Sequence, residues 1–334
     1  MNPPVLAEVR RGGAVESLHR GAVVAVTPDG EIAAAYGDPA SRSFARSALK
    51  PVQALPLVAD GAVARFELTR SELAVICGSH SGEPMHLVAV RSILQKIGRD
   101  ETALQCGGQW PVHESTAAAM RARGEAPRPI HDNCSGKHAG MLALAQLHGW
   151  DHAAYRRFDH PVQQRIREAL VIVTGRAEAA ATAGTDGCGV PTYHLRLHDL
   201  ALAFARLAAP GTLPAPWREA AATVAGAMTG FPEMVAGTDR LDTVLMGVGG
   251  GRVISKGGGE AIIAVAAPRR ALGVAAKIED GSARAVGPVI VEALRQLGIL
   301  SSDDVRVLAP LHHPPVLDRQ GHQVGEIIPT LELR

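Results

Sequence analysis

The sequence predicts an α/β fold in which one antiparallel sheet is built from strands at both ends of the chain, is flanked by helices, and is interrupted by a helical insertion. Two observations predict it. Strand-type runs of small and branched residues fill the first 36 residues and return after about residue 245, and between them the apolar spacing is that of helices. The expected organisation is a single domain over residues 1–334, with a sheet part at about 1–45 and 245–334 and a mainly helical part at about 46–244. A cleft between sheet and helices is the expected ligand site.

The first strands are "VLAEVRRGG" and "GAVVAV", and a Pro-Asp-Gly turn in "TPDG" joins the latter to "EIAAAYGD". Helical periodicity follows in "MHLVAVRSILQKIG", "KHAGMLALAQLHGW", "HPVQQRIREALVIVTG" and "LHDLALAFARLAA", separated by Gly/Pro-rich loops near residues 107, 127, 187 and 211. After "MGVGGG" come the strands "RVISKG", "EAIIAVAAP" and "ALGVAAKIED", one helix at "AVGPVIVEALRQLGIL" and a last strand near "GEIIPTLEL".

With 46% hydrophobic and 20% charged residues, the composition is that of a globular protein with an ample core. A net charge of +1 and 3% aromatic residues leave no basic, aromatic-interleaved surface for nucleic acid or membrane, so the expected partner is a small molecule. No apolar run has the length of a signal peptide's core near the start or of a membrane helix later, which points to the cytoplasm. The cysteines at 77, 106, 134 and 188 are then thiols or metal ligands rather than disulfides, with Cys77 and Cys106 as buried thiols.

Lysine is scarce: only positions 50, 96, 137, 256 and 277 carry it, so 29 of the 34 basic residues are arginine. A lysine amine can lose its proton in a suitable site, whereas a guanidinium does not, so positions that keep lysine are candidates for chemistry. In "SFARSALKPVQALP", Ser47 and Lys50 stand at i and i+3 at the start of a helix, on one face, with Pro51 tolerated in the first turn. A neutral amine there can take the serine proton; the alternative is a capping serine with a solvated lysine. "CGSHSGE" adds Ser79 and Ser81 in a small-residue loop between helices, and "VISKGGGEA" adds Lys256 at a strand end. The order parallels the S-x-x-K, S-D-N and K-T-G set of serine β-lactamases, although "SHS" and "KGG" replace the last two motifs. Gly257 and Gly258 would let substrate approach the backbone, whose N–H groups suit a carboxylate or oxyanion.

A second cluster is "HDNCSGKHAG" with "GTDGCG". Cys134, Lys137 and His138 span one helical turn, and Asp186 and Cys188 alternate on an extended loop, so thiolates, imidazole and carboxylate could meet around Zn²⁺. The alternative is a glycine-rich loop capped by Asn133 and Ser135 with two reduced thiols.

With "RSALKP", "CGSHSGE", "DNCSGKHAGML", "DGCGVP" and "ISKGGGEA" all present, the chain resembles the Rhizobium etli-type L-asparaginases of the asparaginase II family from about residue 5 to its C-terminus. The resemblance implies a fold akin to serine β-lactamases and serine-dependent glutaminases. It implies two pairs, Ser47 with Lys50 and Ser79 with Lys256, with Ser47 as nucleophile, and one zinc ion held by Cys134, Lys137 and Cys188. Asp186 would orient ligand or water; His80, His138, Gly257 and Gly258 complete the candidates around substrate and metal. The activity implied is hydrolysis of L-asparagine to L-aspartate and ammonia. Ligand thiolates and active-site lysines compete for protons, so activity is expected to rise toward alkaline pH, and enzymes of this size are commonly homodimers. A serine-dependent glutaminase, a β-lactamase-like acyl hydrolase and a non-catalytic zinc-binding protein are the alternatives.

Overall fold

The computed structural model describes residues 2–334, which group into two compact units. One comprises the chain up to Ala48, Leu195–Ala209 and Val244–Arg334, and the other Leu49–His194 and Pro210–Thr243. In chain order the strands are β1 (Val5–Arg11), β2 (Ala14–Val26), β3 (Ile32–Tyr36), β4 (Arg42–Phe44), β5 (Ala183–Thr185), β6 (Pro191–Arg196), β7 (Ile254–Gly258), β8 (Ile262–Ala267), β9 (Leu272–Ile278), β10 (Pro315–Leu317) and β11 (Gln323–Pro329).

The first unit carries an eight-stranded sheet in the order β10-β11-β1-β2-β9-β8-β7, with β3 also on β2. Its pairings are antiparallel, with registers such as Val9↔Ile327, Val23↔Ala276 and Ala264↔Ala275. Strands from both ends of the chain therefore build one sheet, and the fold class is the α/β arrangement that the sequence predicts. "IIAVAA" of β8 is buried along its whole length because it is covered by β7 and β9 on its edges and by packing on its faces, which is why it reads as a continuous apolar run. Only Gly21–Val26 of the thirteen-residue β2 is continuously buried. Its first half is mostly exposed and mixed in polarity, so the sequence signals the second half alone. Helix Leu197–Ala208 packs on β2, β8 and β9, and helix Val286–Gln296 on β1, β8, β9 and β11.

In the second unit, helix Lys50–Ala59 packs against helices Ser135–His148, Pro161–Thr174 and Trp217–Gly230, and helix Arg70–Ile76 against Pro84–Lys96 and Ser135–His148. The helix ends follow local rules. Pro161 opens its helix behind a His160 side chain that accepts from the Val162 N–H, and left-handed Gly149 and Gly175 close two helices. Alanine-rich "WREAAATVAGAMTG" forms helix Trp217–Gly230 although its periodic signal is weak, since alanine provides little contrast between faces.

Two local expectations change. Lys256 is the middle residue of β7, because Gly257 and Gly258 continue the strand and pair with Ile263 and Ile262. Asp186 and Cys188 lie on the tight turn of a β5–β6 hairpin rather than on an extended loop, closed by Asp186 N–H to Val190 O (2.9 Å) and Gly189 N–H to Asp186 O (2.8 Å). Among the described residues no helix is long and apolar enough to cross a membrane.

Candidate active site

Lys50 is the first residue of its α-helix, directly after the 3₁₀ turn Arg46–Leu49 that holds Ser47. Its side chain is fully buried, and its amine is satisfied by Gly78 O at 2.6 Å, Ser79 Oγ at 2.9 Å and Asn133 O at 3.3 Å. Three hydrogen-bond partners around one fully buried amine offset the desolvation cost that an unpaired polar group would carry there. Gly78 and Ser79 follow helix Arg70–Ile76, and Asn133 precedes helix Ser135–His148. Lys50 thus ties the serine loop to the cysteine-bearing segment, and Ser79 is the serine placed against its amine.

His80 reinforces the same tie. Gly82 N–H donates to its Nδ1 (3.2 Å), so its Nε2–H donates to Ser135 Oγ (2.8 Å), whose hydroxyl donates to Ile130 O (2.9 Å). Burial, then the charges of His86 and Lys50, push His80 far below the ordinary histidine range, so it is a neutral strut. Ser135 is committed to this chain and makes no side-chain cap; Cys134 occupies the N-cap position, where its N–H donates to Asp132 Oδ1 at 2.7 Å. Burial, with the charge at Cys134, raises the Asp132 carboxyl to about 6.

Cys134, Lys137 and Cys188 converge: Lys137 Nζ donates to Cys188 Sγ at 3.0 Å, and the two thiol groups are hydrogen-bonded. The hydrogen bond from Cys188, helped by the charges of Lys137 and Lys50 against burial, holds Cys134 well below the usual thiol range. The same bond, with burial, pushes Cys188 up. Burial opposes the charge on Lys137, but Cys134 and Cys188 outweigh it and raise the amine above its ordinary value. Cys77 and Cys106 are buried free thiols as expected, and Cys134 and Cys188 are also unbridged.

The donor set fits zinc chemically: two sulfurs and an amine are N/S ligands of the type Zn²⁺ takes, and Lys137 already meets Cys188. Among the described residues no group of three or more His, Cys, Asp and Glu side chains is arranged to hold a metal ion, so the set depends on Lys137 as third donor. His138 is not part of it. The Tyr155 hydroxyl accepts from Gln105 N–H (3.0 Å) and is hydrogen-bonded to His138 Nδ1 (2.6 Å), while His138 Nε2 is buried without a hydrogen-bond partner among the described residues. Asp186 Oδ1 accepts from Gly187 N–H (2.8 Å) on the hairpin turn beside Cys188.

Ser47 and Lys256 belong to the sheet unit. Ser47 is half-buried, whereas Lys256 is 1% exposed and donates to Gly257 O at 2.6 Å. A Cβ on Gly258 would lie 3.0 Å from Ala48 N and 3.1 Å from Ala45 O, so β7 can lie this close to the backbone carrying Ser47 only with glycine there. Arg46, just before Ser47, takes φ +49°, a left-handed conformation that costs energy for a non-glycine residue. Sequence reasoning did not assign the carbonyls of Gly78 and Asn133 or the Tyr155 hydroxyl. Backbone acceptors carry no residue signature, and Tyr155 lies outside every motif.

The chain is similar to the native form of Mglu, at 16% identity and TM-score 0.43 over 85% of this chain and 66% of that one. It is also similar to a beta-lactamase from Mycobacterium bovis, at 16% identity and TM-score 0.40 over 84% and 95% of the two chains, and to a Bacillus glutaminase solved in 4.3 M NaCl, at 13% identity and TM-score 0.37 over 84% and 91%. It spans just under two thirds of the length of Mglu. No curated protein matches the chain. Residues 7–329 match the family model described as L-asparaginase II, and the chain belongs to that family, one of amidohydrolases.

Proposed function

We propose that the protein hydrolyses L-asparagine to L-aspartate and ammonia by serine attack assisted by lysine. The observation that carries this reading is the buried Lys50 amine on Ser79 Oγ in a chain of the asparaginase II family. A neutral amine has two N–H bonds and one lone pair. Gly78 O and Asn133 O accept the two hydrogens, which turns the lone pair toward the serine hydroxyl. Such an amine can receive a proton from serine and return it to the leaving group.

In the reaction, Ser47 Oγ bonds to the side-chain amide carbon of asparagine while its proton passes to the lysine–serine groups. The C–N bond then breaks, ammonia leaves with that proton, and water cleaves the aspartyl ester to regenerate the serine. Lys256 is the second buried lysine of the proposed site. Backbone N–H groups beside Gly257 and Gly258 suit the oxyanion.

Cys134, Lys137 and Cys188 would hold zinc, and Asp186 would orient a ligand or water beside it. Bound zinc would supply a fixed positive charge there. Because Cys188 and Lys137 carry protons without it, binding releases protons and strengthens as pH rises. The reading takes the enzyme as a cytoplasmic homodimer, the second part of which sedimentation measures directly. Ammonia release from L-asparagine and L-glutamine, side by side, tests the substrate assignment: faster turnover of asparagine is expected, and turnover of glutamine alone contradicts it.

A further inference from the structure

The loop that carries Ser79 is fastened to a distant piece of chain, Phe231–Thr238. Ser79 N–H donates to Val235 O at 2.7 Å, and a Cβ on Gly78 would lie 2.6 Å from Val235 O and 2.9 Å from Met234 O. This strap therefore lies directly on the backbone of Gly78 and Ser79. One side chain holds it from below. Glu83 Oε1 accepts from Ser81 Oγ (2.6 Å) and Thr238 N–H (2.9 Å), and Oε2 accepts from Thr238 Oγ1 (2.7 Å).

Backbone shape is fitted to this contact. Gly237 takes φ +118°, and a Cβ there would stand 2.0 Å from Ser81 Oγ and 2.5 Å from Glu83 Oε1. His86 adds a second fastening, because Glu83 N–H donates to its Nδ1 (3.1 Å) and its Nε2–H therefore donates to Glu233 O (2.9 Å). Burial works against the Glu83 charge, but the Ser81 and Thr238 donors outweigh it and keep the carboxyl below its ordinary range. Glu83 is also the N-cap of helix Pro84–Lys96, where it forms a capping box with His86, so the same side chain that starts this helix holds Ser81 and Thr238.

We infer that Glu83 is a positioning residue which, by clamping the Phe231–Thr238 strap onto the serine loop, sets the place of Ser79 against the Lys50 amine. Its catalytic consequence rests on the reaction proposed above, and its structural part does not. The chain of contacts is short: Glu83 holds Thr238, the strap holds Ser79 N–H through Val235 O, and Ser79 Oγ meets Lys50 Nζ at 2.9 Å. A loosened strap leaves Ser79 free to move away from the amine, and misplacements of about 1 Å cost up to about 100-fold in rate.

The test combines amide hydrogen exchange with kinetics on the full-length protein, using Glu83→Ala and the isosteric Glu83→Gln, which guards against a variant that fails to fold. In folded Glu83→Ala, exchange at residues 78–83 and 231–238 should speed up by about tenfold or more, with the chain beyond these segments and the first turn of helix Pro84–Lys96, which Glu83 caps, unchanged. The rate with L-asparagine should fall by about 10–100-fold, and the ascending limb of its pH profile should move, which simple loss of folded enzyme would not cause. Glu83→Gln should show the same changes more weakly, because the amide keeps one acceptor oxygen. Unchanged exchange in both segments overturns the clamp. A lower rate with an unmoved pH profile overturns the positioning role. Should the wild-type protein hydrolyse neither asparagine nor glutamine, the proposed reaction falls, and exchange alone then decides whether the strap depends on Glu83.

Discussion

Gly136→Ala tests how closely the two halves of the helical unit's site depend on each other. Gly136 lies in the first turn of helix Ser135–His148, where an added Cβ would stand 2.4 Å from Val75 O, 2.9 Å from Val75 C and 3.2 Å from Val75 Cγ2. Ordinary non-bonded contacts begin near 3.5 Å, so the two backbones must part by about 1 Å. Overpacking of this kind costs about 1–3 kcal/mol, and the better helix propensity of alanine returns at most about 1 kcal/mol. With that full return, the net loss of up to about 2 kcal/mol lowers Tm by up to a few degrees.

The catalytic loss should be larger than the stability loss. Val75 lies four residues before Ser79 and Gly136 three after Asn133, so parting them stretches the Lys50 contacts to Ser79 Oγ (2.9 Å) or to Asn133 O (3.3 Å). Thermal unfolding and kcat measured on the same preparation check this, with kcat expected to fall by up to about 100-fold. A variant with unchanged or raised Tm and full kcat would refute the reasoning, since it would mean that the helices separate freely or that their spacing does not set the position of Lys50.

Metal analysis of purified protein should find stoichiometric zinc that is lost on changing Cys134 or Cys188 to Ser; zinc that survives both changes removes these ligands. Activity should rise toward alkaline pH, because the lysine that accepts the serine proton must be uncharged; a rate that falls steadily above neutrality contradicts it. In the sheet unit, Glu292 is held well below the usual carboxyl range: burial opposes, but hydrogen bonds from Arg295 (2.6 and 2.8 Å), His312 (3.0 Å) and Gln296 (2.7 Å) prevail. A depressed carboxyl stabilises the fold above its unfolded value of about 4.3 and loses that contribution as pH falls. Glu292→Gln should therefore lower Tm at pH 7 more than at pH 3, and equal losses at both would contradict the assignment.

The sheet was legible because β8 and the buried half of β2 are unbroken apolar runs, and because strand patterns stand at both ends of the chain. The β5–β6 hairpin was not, since three- and six-residue strands are too short to establish a period beside long helices. At the site, scarcity drew attention to lysine, and Lys50, Lys137 and Lys256 are each at most 3% exposed. What the residues could not reveal is the wiring. Ser79 meets Lys50 because two segments 29 and 83 positions away fold around the amine, and two of its three partners there are backbone carbonyls. Glu83 stood in a quoted motif without a role because its partner Thr238 is 155 positions distant.

The most direct test of the central claim is ammonia release from L-asparagine by the wild-type protein and by Ser47→Ala in parallel, with circular dichroism to show that both are folded. The account predicts release by the wild type and none above background from the folded variant. Full release by Ser47→Ala would contradict it and remove Ser47 as the nucleophile.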